Sequence, residues 1–459
     1  MAADQDPAVP VLVLGGRITA LGVIRTLSRS GIANFLISRD RWCAGRSRFY
    51  RPLTGGSQRL PYPGGLEAWL GSLTLPCAVL LPCEDNWVLE VAGLSSQLKN
   101  RFPASIADPS AIACLLDKGN FYDLLRRLEI PHPRTIPIES VRDLQRGSDV
   151  DIAGSFLKPR NSQELLRLFG VKAFQIREWK EAARIAAEVS GHGIGLTLQE
   201  YIPGPPTAHY FIDGFADRSG RVVARFARRR LRMYPPDFGN SSLHVSIPVE
   251  DVKPAADALD LLLHRLNYRG IFSAEFKLDP RDGQFKILEV NARPWWFIEF
   301  AARSGVDVCT LAYRDALGLH CDPIKSYQTG RLCVTLDLDV RSYLHLRRKK
   351  AIGLREWLRS WLGADHPVFS WSDPGPALGQ LAEILWIVAN KLRSGSLTRP
   401  ATSARTRRSY ENEHRSPDEP LRATDSRSVG TEQWPPDRPS GTRDQPGTRN
   451  ESGFRCQVR

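Results

Sequence analysis

Two short segments, residues 272–279 and 284–295, constrain this chain more than any other part of it. Each alternates in the way a half-buried strand does, and Pro280-Arg281-Asp282-Gly283 between them is turn chemistry with an Asp-Gly pair, so the spacing predicts a β-hairpin. On that hairpin Glu275 and Glu289 fall on neighbouring strands, and Asn291 lies two residues beyond Glu289 on the same face. Three oxygen-bearing side chains then converge. Hard oxygen donors, few in number and leaving room for water and phosphate oxygens, are what Mg²⁺ (or Mn²⁺) carried by a nucleotide requires. Arg293, another period of two along, can add a cation beside the phosphates. The same pattern also fits an ordinary surface hairpin whose acidic residues are solvated.

The order of motifs along the chain separates the two readings. Glu289-Val290-Asn291-Ala292-Arg293-Pro294-Trp295-Trp296 resembles the Glu-x-Asn-x-Arg signature that closes the ATP-binding half of ATP-grasp ligases, and Glu275 stands where that superfamily places its other metal-binding carboxylate. Upstream, Asp117-Lys118-Gly119-Asn120-Phe121-Tyr122 resembles the helix start that opens the superfamily's central region, with Asp117 suited to cap it. Phe156-Leu157-Lys158-Pro159 is similar to the strand whose lysine contacts nucleotide phosphates, and Gly170-Val171-Lys172-Ala173-Phe174 to the next strand with its own lysine. Leu198-Gln199-Glu200-Tyr201-Ile202-Pro203-Gly204 resembles the hinge, which implies that backbone groups of Tyr201 and Ile202 and the Glu200 carboxylate meet adenine and ribose. Pro203 would end strand pairing there. The resemblance covers residues 10–320, with five motifs in the superfamily's order. One part departs from it: the interval from Arg160 to Phe169 has no glycine, where many ATP-grasp enzymes fold a glycine-rich loop over the phosphates. Either Arg160, Asn161 and Ser162 supply side-chain donors instead, or nucleotide handling is weakened.

The fold class that follows combines α/β and α+β parts. A doubly wound pre-ATP-grasp domain (1–114) is expected to precede a two-lobed ATP-grasp domain (115–320, lobes about 115–200 and 201–320). A helical C-terminal extension (321–392) and a disordered tail (393–459) are expected after it. Residues 9–16 form a near-continuous apolar run ending in glycine, as a buried parallel strand does, and residues 20–28 have helical period before a second strand at 35–38. A dinucleotide-binding domain is the obvious alternative, but the glycines fall at 15, 16 and 22, outside the G-x-G-x-x-G register. Another strand over residues 77–82 delivers Cys83-Glu84-Asp85-Asn86 to the carboxyl edge, where α/β ligand sites lie.

At 459 residues the chain is too long for one core, and its 42% hydrophobic and 25% charged content is that of a soluble globular protein. Its N-terminus lacks the basic and apolar regions of a signal peptide. Eight cysteines without a C-x-x-C pair read as reduced core residues of a cytoplasmic protein. Residues 378–392 are too short and too polar to span a bilayer; they read as an amphipathic helix packed on the body, with membrane-surface docking as the second reading. The net charge of +13 does not by itself imply nucleic acid: thirteen arginines against nine acids sit in residues 393–459, Arg225, Arg228, Arg229, Arg230 and Arg232 fall near the proposed phosphate site, and no aromatic-interleaved basic motif is present.

The resemblance implies an enzyme that transfers the γ-phosphoryl of ATP to a carboxylate, giving an acylphosphate that an amine attacks. Transfer of that kind requires positioning and charge neutralisation rather than a protein nucleophile. In that scheme Glu275, Glu289 and Asn291 hold the metal, Lys158 and Lys172 meet the α- and β-phosphates, and Arg293 with one or more of Arg228, Arg230 and Arg232 faces the γ-phosphoryl and the substrate carboxylate. Within the superfamily, residues 232–239 and 275–279 look closest to the branch of amino-acid ligases that includes D-aspartate ligase-like enzymes. Residues 234–242 would form a mobile acceptor-side loop in which Ser241 or Ser242 bonds a carboxylate. A catalytically weakened nucleotide-binding protein is the alternative, suggested by the glycine-poor interval.

Overall fold

The computed structural model describes residues 9–38, 44–53, 64–138, 143–144, 154–160, 168–169, 173–236 and 239–393. The expected tail, and Lys172 with the start of its strand, lie outside them.

The chain opens with β1 (Val11–Leu14), α1 (Arg17–Arg29), β2 (Asn34–Ile37), α2 (Leu66–Ser72), β3 (Val79–Pro82) and α3 (Asp85–Gly93). The strands pair in parallel in the order β2-β1-β3. Val11 and Val13 enter one core together with α1, whereas Leu12 and Leu14 enter another with Leu66, Trp69 and Trp87. Both faces are therefore covered, which is why β1 is apolar at every position and why the unit is doubly wound. Gly15 leaves the strand at φ 123°, a conformation only glycine adopts without strain, and the Gly16 N–H then donates to Glu84 Oε1 at 3.0 Å. Helices α4 (Ser96–Arg101), α5 (Pro109–Leu116) and α6 (Lys118–Arg127) follow. As expected, Asp117 caps α6, accepting from the Asn120 N–H at 2.9 Å.

A first lobe is built from β4 (Thr135–Ile138), β5 (Ser155–Pro159), β6 (Phe174–Ile176), α7 (Trp179–Ser190) and β7 (Leu196–Glu200). Its antiparallel sheet runs β4-β7-β5-β6, with Ala182, Ile185, Ala186 and Val189 of α7 packed on Ile138, Leu157 and Leu196.

The second lobe contains β8 (His209–Ala216), β9 (Val222–Tyr234), β10 (Asn240–Ile247), α8 (Lys253–Arg265), β11 (Gly270–Leu278) and β12 (Phe285–Asn291). The hairpin expected from the Asp-Gly turn is present, with Gly283 at φ 71°. Strand β11, however, is not half-buried. It lies between β12 and β8, so Phe272, Ala274 and Phe276 enter the core beneath α8 while Ser273 and Lys277 on the other face are covered too. A further difference concerns residues 234–242: Ser241 and Ser242 belong to β10 and not to a loop. The tight turn before β10 needs Gly239, where a Cβ would stand 2.0 Å from the Pro235 carbonyl oxygen.

Helices α9 (Ile298–Arg303) and α10 (Val308–Ala316) pack between the second lobe and α1, so one core joins the first unit to the second lobe. Arg25 is its polar centre. Fully buried, it donates to Asp373 Oδ2 at 2.8 Å, to Glu299 Oε2 at 3.1 Å and to the carbonyls of Pro367, Val368 and Asp373. The chain ends its described course with β13 (Leu332–Val334), which pairs with β10, and helices α11 (Leu336–Arg348), α12 (Leu354–Arg359) and α13 (Gly375–Arg393). Helices α11 and α12 pack on the body. Their anchor is the buried Asp339, which accepts from Arg232 Nε at 2.9 Å, Ser242 Oγ at 2.8 Å, Trp357 Nε1 at 2.9 Å and Trp361 Nε1 at 2.8 Å. No described helix is long and apolar enough to cross a membrane.

Candidate active site

The six-stranded sheet, in the order β12-β11-β8-β9-β10-β13, presents a polar face opposite the one that α8 covers. Registers place Glu275 directly across from Glu289, Ser273 across from Asn291, Glu275 beside Phe211, and Phe211 beside Arg228. Directly opposed residues bring their Cβ atoms to about 4.5–5.5 Å, so the two carboxylates and the amide do form one cradle. A bulge at Leu288 interrupts the hairpin just before Glu289, and the Leu288 carbonyl there accepts from the Tyr122 hydroxyl at 2.7 Å.

The two carboxylates are held very differently. Glu275 Oε1 accepts from Arg230 Nη2 at 3.0 Å and from His209 Nδ1 at 2.9 Å. Burial alone would raise its pKa, but Arg230, His209 and Lys158 outweigh burial and hold it well below the usual carboxylate range. Glu289 is exposed and has no hydrogen-bond partner among the described residues. Asn291 Oδ1 accepts from Arg293 Nη2 at 3.3 Å. Hard donors are therefore available from Glu275 Oε2, both Glu289 oxygens and Asn291 Oδ1, a set that fits Mg²⁺ whose remaining ligands are phosphate oxygens and water. Among the described residues no three His, Cys, Asp or Glu side chains cluster as a metal site.

Lys158 on β5 faces the cradle from the first lobe. Its Nζ donates to Gln199 Oε1 at 2.9 Å and lies 4.6 Å from the Phe156 ring centroid. Burial and the neighbouring Lys118 push its pKa down to about 7, against the opposing pull of Glu289 and Glu275. Lys118 was not singled out in the sequence, although it stands inside a motif that was. Its place in the first turn of α6, behind the Asp117 cap, is the signal that could have found it.

The arginines of β9 sort themselves by strand period. Arg228, Arg230 and Arg232 point to the polar face, and each has an acid. Arg230 takes Glu275 and also donates to Ser241 Oγ at 2.6 Å, so it is a positioning residue for the cradle. Arg228 is paired with Asp213 at 2.6 Å and stacks on Phe211, beside a His244 that burial and both arginines keep neutral. Arg232, expected to face the γ-phosphoryl and the substrate carboxylate, has its fork held by the buried Asp339. The carboxylate that Ser242 bonds is likewise that of Asp339. Arg225 and Arg229 turn the other way, to Asp260 and the Thr207 carbonyl.

At the hinge, the Tyr201 N–H already donates to the Gly154 carbonyl at 2.6 Å, so Tyr201 offers its carbonyl and ring in place of a donor. Lys277 Nζ lies 4.5 Å from that ring's centroid. Ile202 is buried. Glu200 is bridged to Arg281, on the β11–β12 turn, at 2.6 Å and accepts from the Arg134 N–H at 3.1 Å. Arg293 is aimed by Asp85 at the start of α3, with Nε to Oδ1 at 2.6 Å. The carboxyl edge of the first unit and the end of the cradle thus meet at one point.

Two α+β lobes, with a two-carboxylate cradle on one and a lysine facing it from the other, are the architecture of the ATP-grasp fold, and this chain has that fold. No protein-family model matches it. The D-aspartate ligase of Enterococcus faecium is 22% identical over 245 residues, which are 52% of this chain and 58% of that enzyme, so the match spans less than two thirds of that relative. Among solved structures, N5-carboxyaminoimidazole synthetase from Staphylococcus aureus superposes with a TM-score of 0.55 at 13% identity, covering 75% of this chain and 86% of that one. Biotin carboxylase from Campylobacter jejuni, solved as a βγ-ATP complex, gives 0.54 at 15% identity (71% and 74% covered). The L-amino acid ligase from Bacillus licheniformis gives 0.50 at 13% identity (68% and 75% covered).

Proposed function

We propose that this chain is an ATP-dependent carboxylate–amine ligase, which phosphorylates a carboxylate to an acylphosphate and joins it to an amine, releasing ADP and phosphate. The observation that carries this reading is the register opposition of Glu275 and Glu289 with Asn291 beside them, faced by Lys158 from the other lobe. Glu275, Glu289 and Asn291 would hold Mg²⁺, which when bound neutralises charge on the phosphates. Lys158, Lys118 and Lys172 bind the phosphates, and the segment Glu200-Tyr201-Ile202 receives the base and sugar. Arg293, fixed by Asp85, orients the carboxylate at the junction with the first unit. Closure of the two lobes excludes water that would hydrolyse the acylphosphate. Amino acids are the substrate class we favour, supported by the D-aspartate ligase relative. The reading carries with it the division into 1–114, 115–320, 321–392 and 393–459, and a place in the cytoplasm, where ATP is supplied; the free thiols of Cys77, Cys83, Cys114, Cys309, Cys321 and Cys333 accord with that compartment.

Hydroxylamine tests the chemistry. Enzyme, Mg-ATP and amino acids offered singly, with hydroxylamine in place of the amine, should yield ADP, phosphate and a hydroxamate in equal amounts. AMP and pyrophosphate would overturn phosphoryl transfer. ATP binding with no ADP release in any mixture would favour the alternative, a weakened nucleotide-binding protein with a glycine-poor lid.

Lys158 gives a pH signature. Without nucleotide it is largely neutral above its pKa of about 7, whereas phosphate oxygens favour its charged form. ATP binding at pH ~8 should therefore take up a proton, and affinity should fall as pH rises past neutrality. Calorimetry in buffers of different ionisation enthalpy reads the uptake; it should vanish in Lys158→Met, and its absence in the native protein would remove Lys158 from the phosphate site.

A further inference from the structure

The C-terminal helices carry an apolar surface that the body leaves uncovered. On α11 the buried residues are Asp339, Ser342 and Tyr343, while Leu336, Val340 and Leu344, spaced by four and so aligned along one flank, are exposed. On α12 only Trp357 is buried, stacked on Tyr343 with ring centroids 4.2 Å apart, and Leu354 and Leu358 repeat the same spacing on the outside, continued by Leu362 at 77% exposure. Trp371 is 90% exposed. Leucines in this number on the outside of a folded body call for an occupant.

Charge identifies it. Residues 336–362 contain Arg341, Arg347, Arg348, Lys349, Lys350, Arg355 and Arg359 against Asp337, Glu356 and an Asp339 already neutralised by Arg232. Arg347, Arg348, Lys349 and Lys350 are all exposed in the stretch where α11 ends, and Arg355 and Arg359 each follow an exposed leucine. A second copy of this chain would set one cationic face against another across a two-fold axis, and residues 393–459, with thirteen arginines against nine acids, carry the same sign. Leucines flanked by arginine and lysine instead match the surface of an anionic bilayer: the cations sit at phosphate level and the leucines enter the acyl boundary.

We infer that the α11–α12 face docks this protein peripherally on an anionic phospholipid surface. The inference stands independently of the ligase reading.

The full-length protein is to be sedimented with vesicles of phosphatidylcholine alone and of phosphatidylcholine mixed with phosphatidylglycerol, at low and high salt. Binding is expected to the anionic vesicles and to weaken with salt. Two variants, Leu344→Glu with Leu358→Glu and Arg348→Glu with Lys349→Glu, should each lower the partition by about tenfold or more while keeping the native melting temperature, since all four side chains are exposed, whereas Arg347 is left in place because it donates to the Tyr343 hydroxyl. Equal binding to neutral vesicles, or undiminished binding by the variants, would overturn the inference. So would self-association that the leucine variant abolishes, or capture of an acidic polypeptide such as polyglutamate in the absence of vesicle binding.

Discussion

Glu289→Gln is expected to lower turnover by about two to three orders of magnitude and to leave stability within about 0.5 kcal/mol of the native value. The two halves of that expectation come from the same fact. Glu289 is exposed and makes no hydrogen bond within the described residues, so the amide creates neither cavity nor unpaired partner. Its charge acts on Lys158 and Arg293 without a direct bond, and on the proposed reading removing it weakens the site where phosphoryl charge is neutralised. Glu275→Gln behaves differently, because it also strips the buried Arg230 of its acid. ADP release with the cognate substrates, alongside a melting curve, checks this; native ADP production by Glu289→Gln would remove that residue from the cradle.

Arg25→Ala should cost about 3–5 kcal/mol of stability. The side chain is wholly buried, and its loss leaves Asp373 and one oxygen of Glu299 without a cation, along with three carbonyls without a donor. It fastens α1 to α9 and to residues 367–373, so the damage crosses the joint between the first unit and the second lobe. Arg29 offers a control, since it reaches the other oxygen of Glu299 at 2.7 Å from a partly exposed position and Arg29→Ala should cost under about 1 kcal/mol. Urea titration distinguishes them; equal, small losses for both would mean that the buried network contributes little.

How much of this could be read beforehand depends on the range over which each signal acts. The hairpin, the α6 cap and the apolar β1 follow from residues close together along the chain, and local pattern carries them. The cradle followed too, because period two and an Asp-Gly turn fix which residues oppose. Arg228, Arg230 and Arg232 shared a face as their spacing requires, but nothing local says that their acids are Asp213, Glu275 and Asp339, up to 107 positions away. The pairing of Arg232 with Asp339 was hidden there. Burial of β11 on both faces was hidden for a related reason: Ser273 and Lys277 look like solvent positions until β8 and β12 are seen beside them. The Tyr201 N–H likewise has a partner, Gly154, that no pattern near the hinge announces.

The Asp339 anchor bears on what counts as a module in this chain. Motif content ends near residue 320, and a minimal protein cut there would look complete. Yet such a cut would take away β13, the edge partner of β10, and leave the buried Arg232 of β9 facing no acid. The last helices supply the counter-charge of the sheet that bears the cradle, so the extension is not an appendage that evolution or an engineer could exchange freely. Any replacement would have to bring its own carboxylate to the same spot.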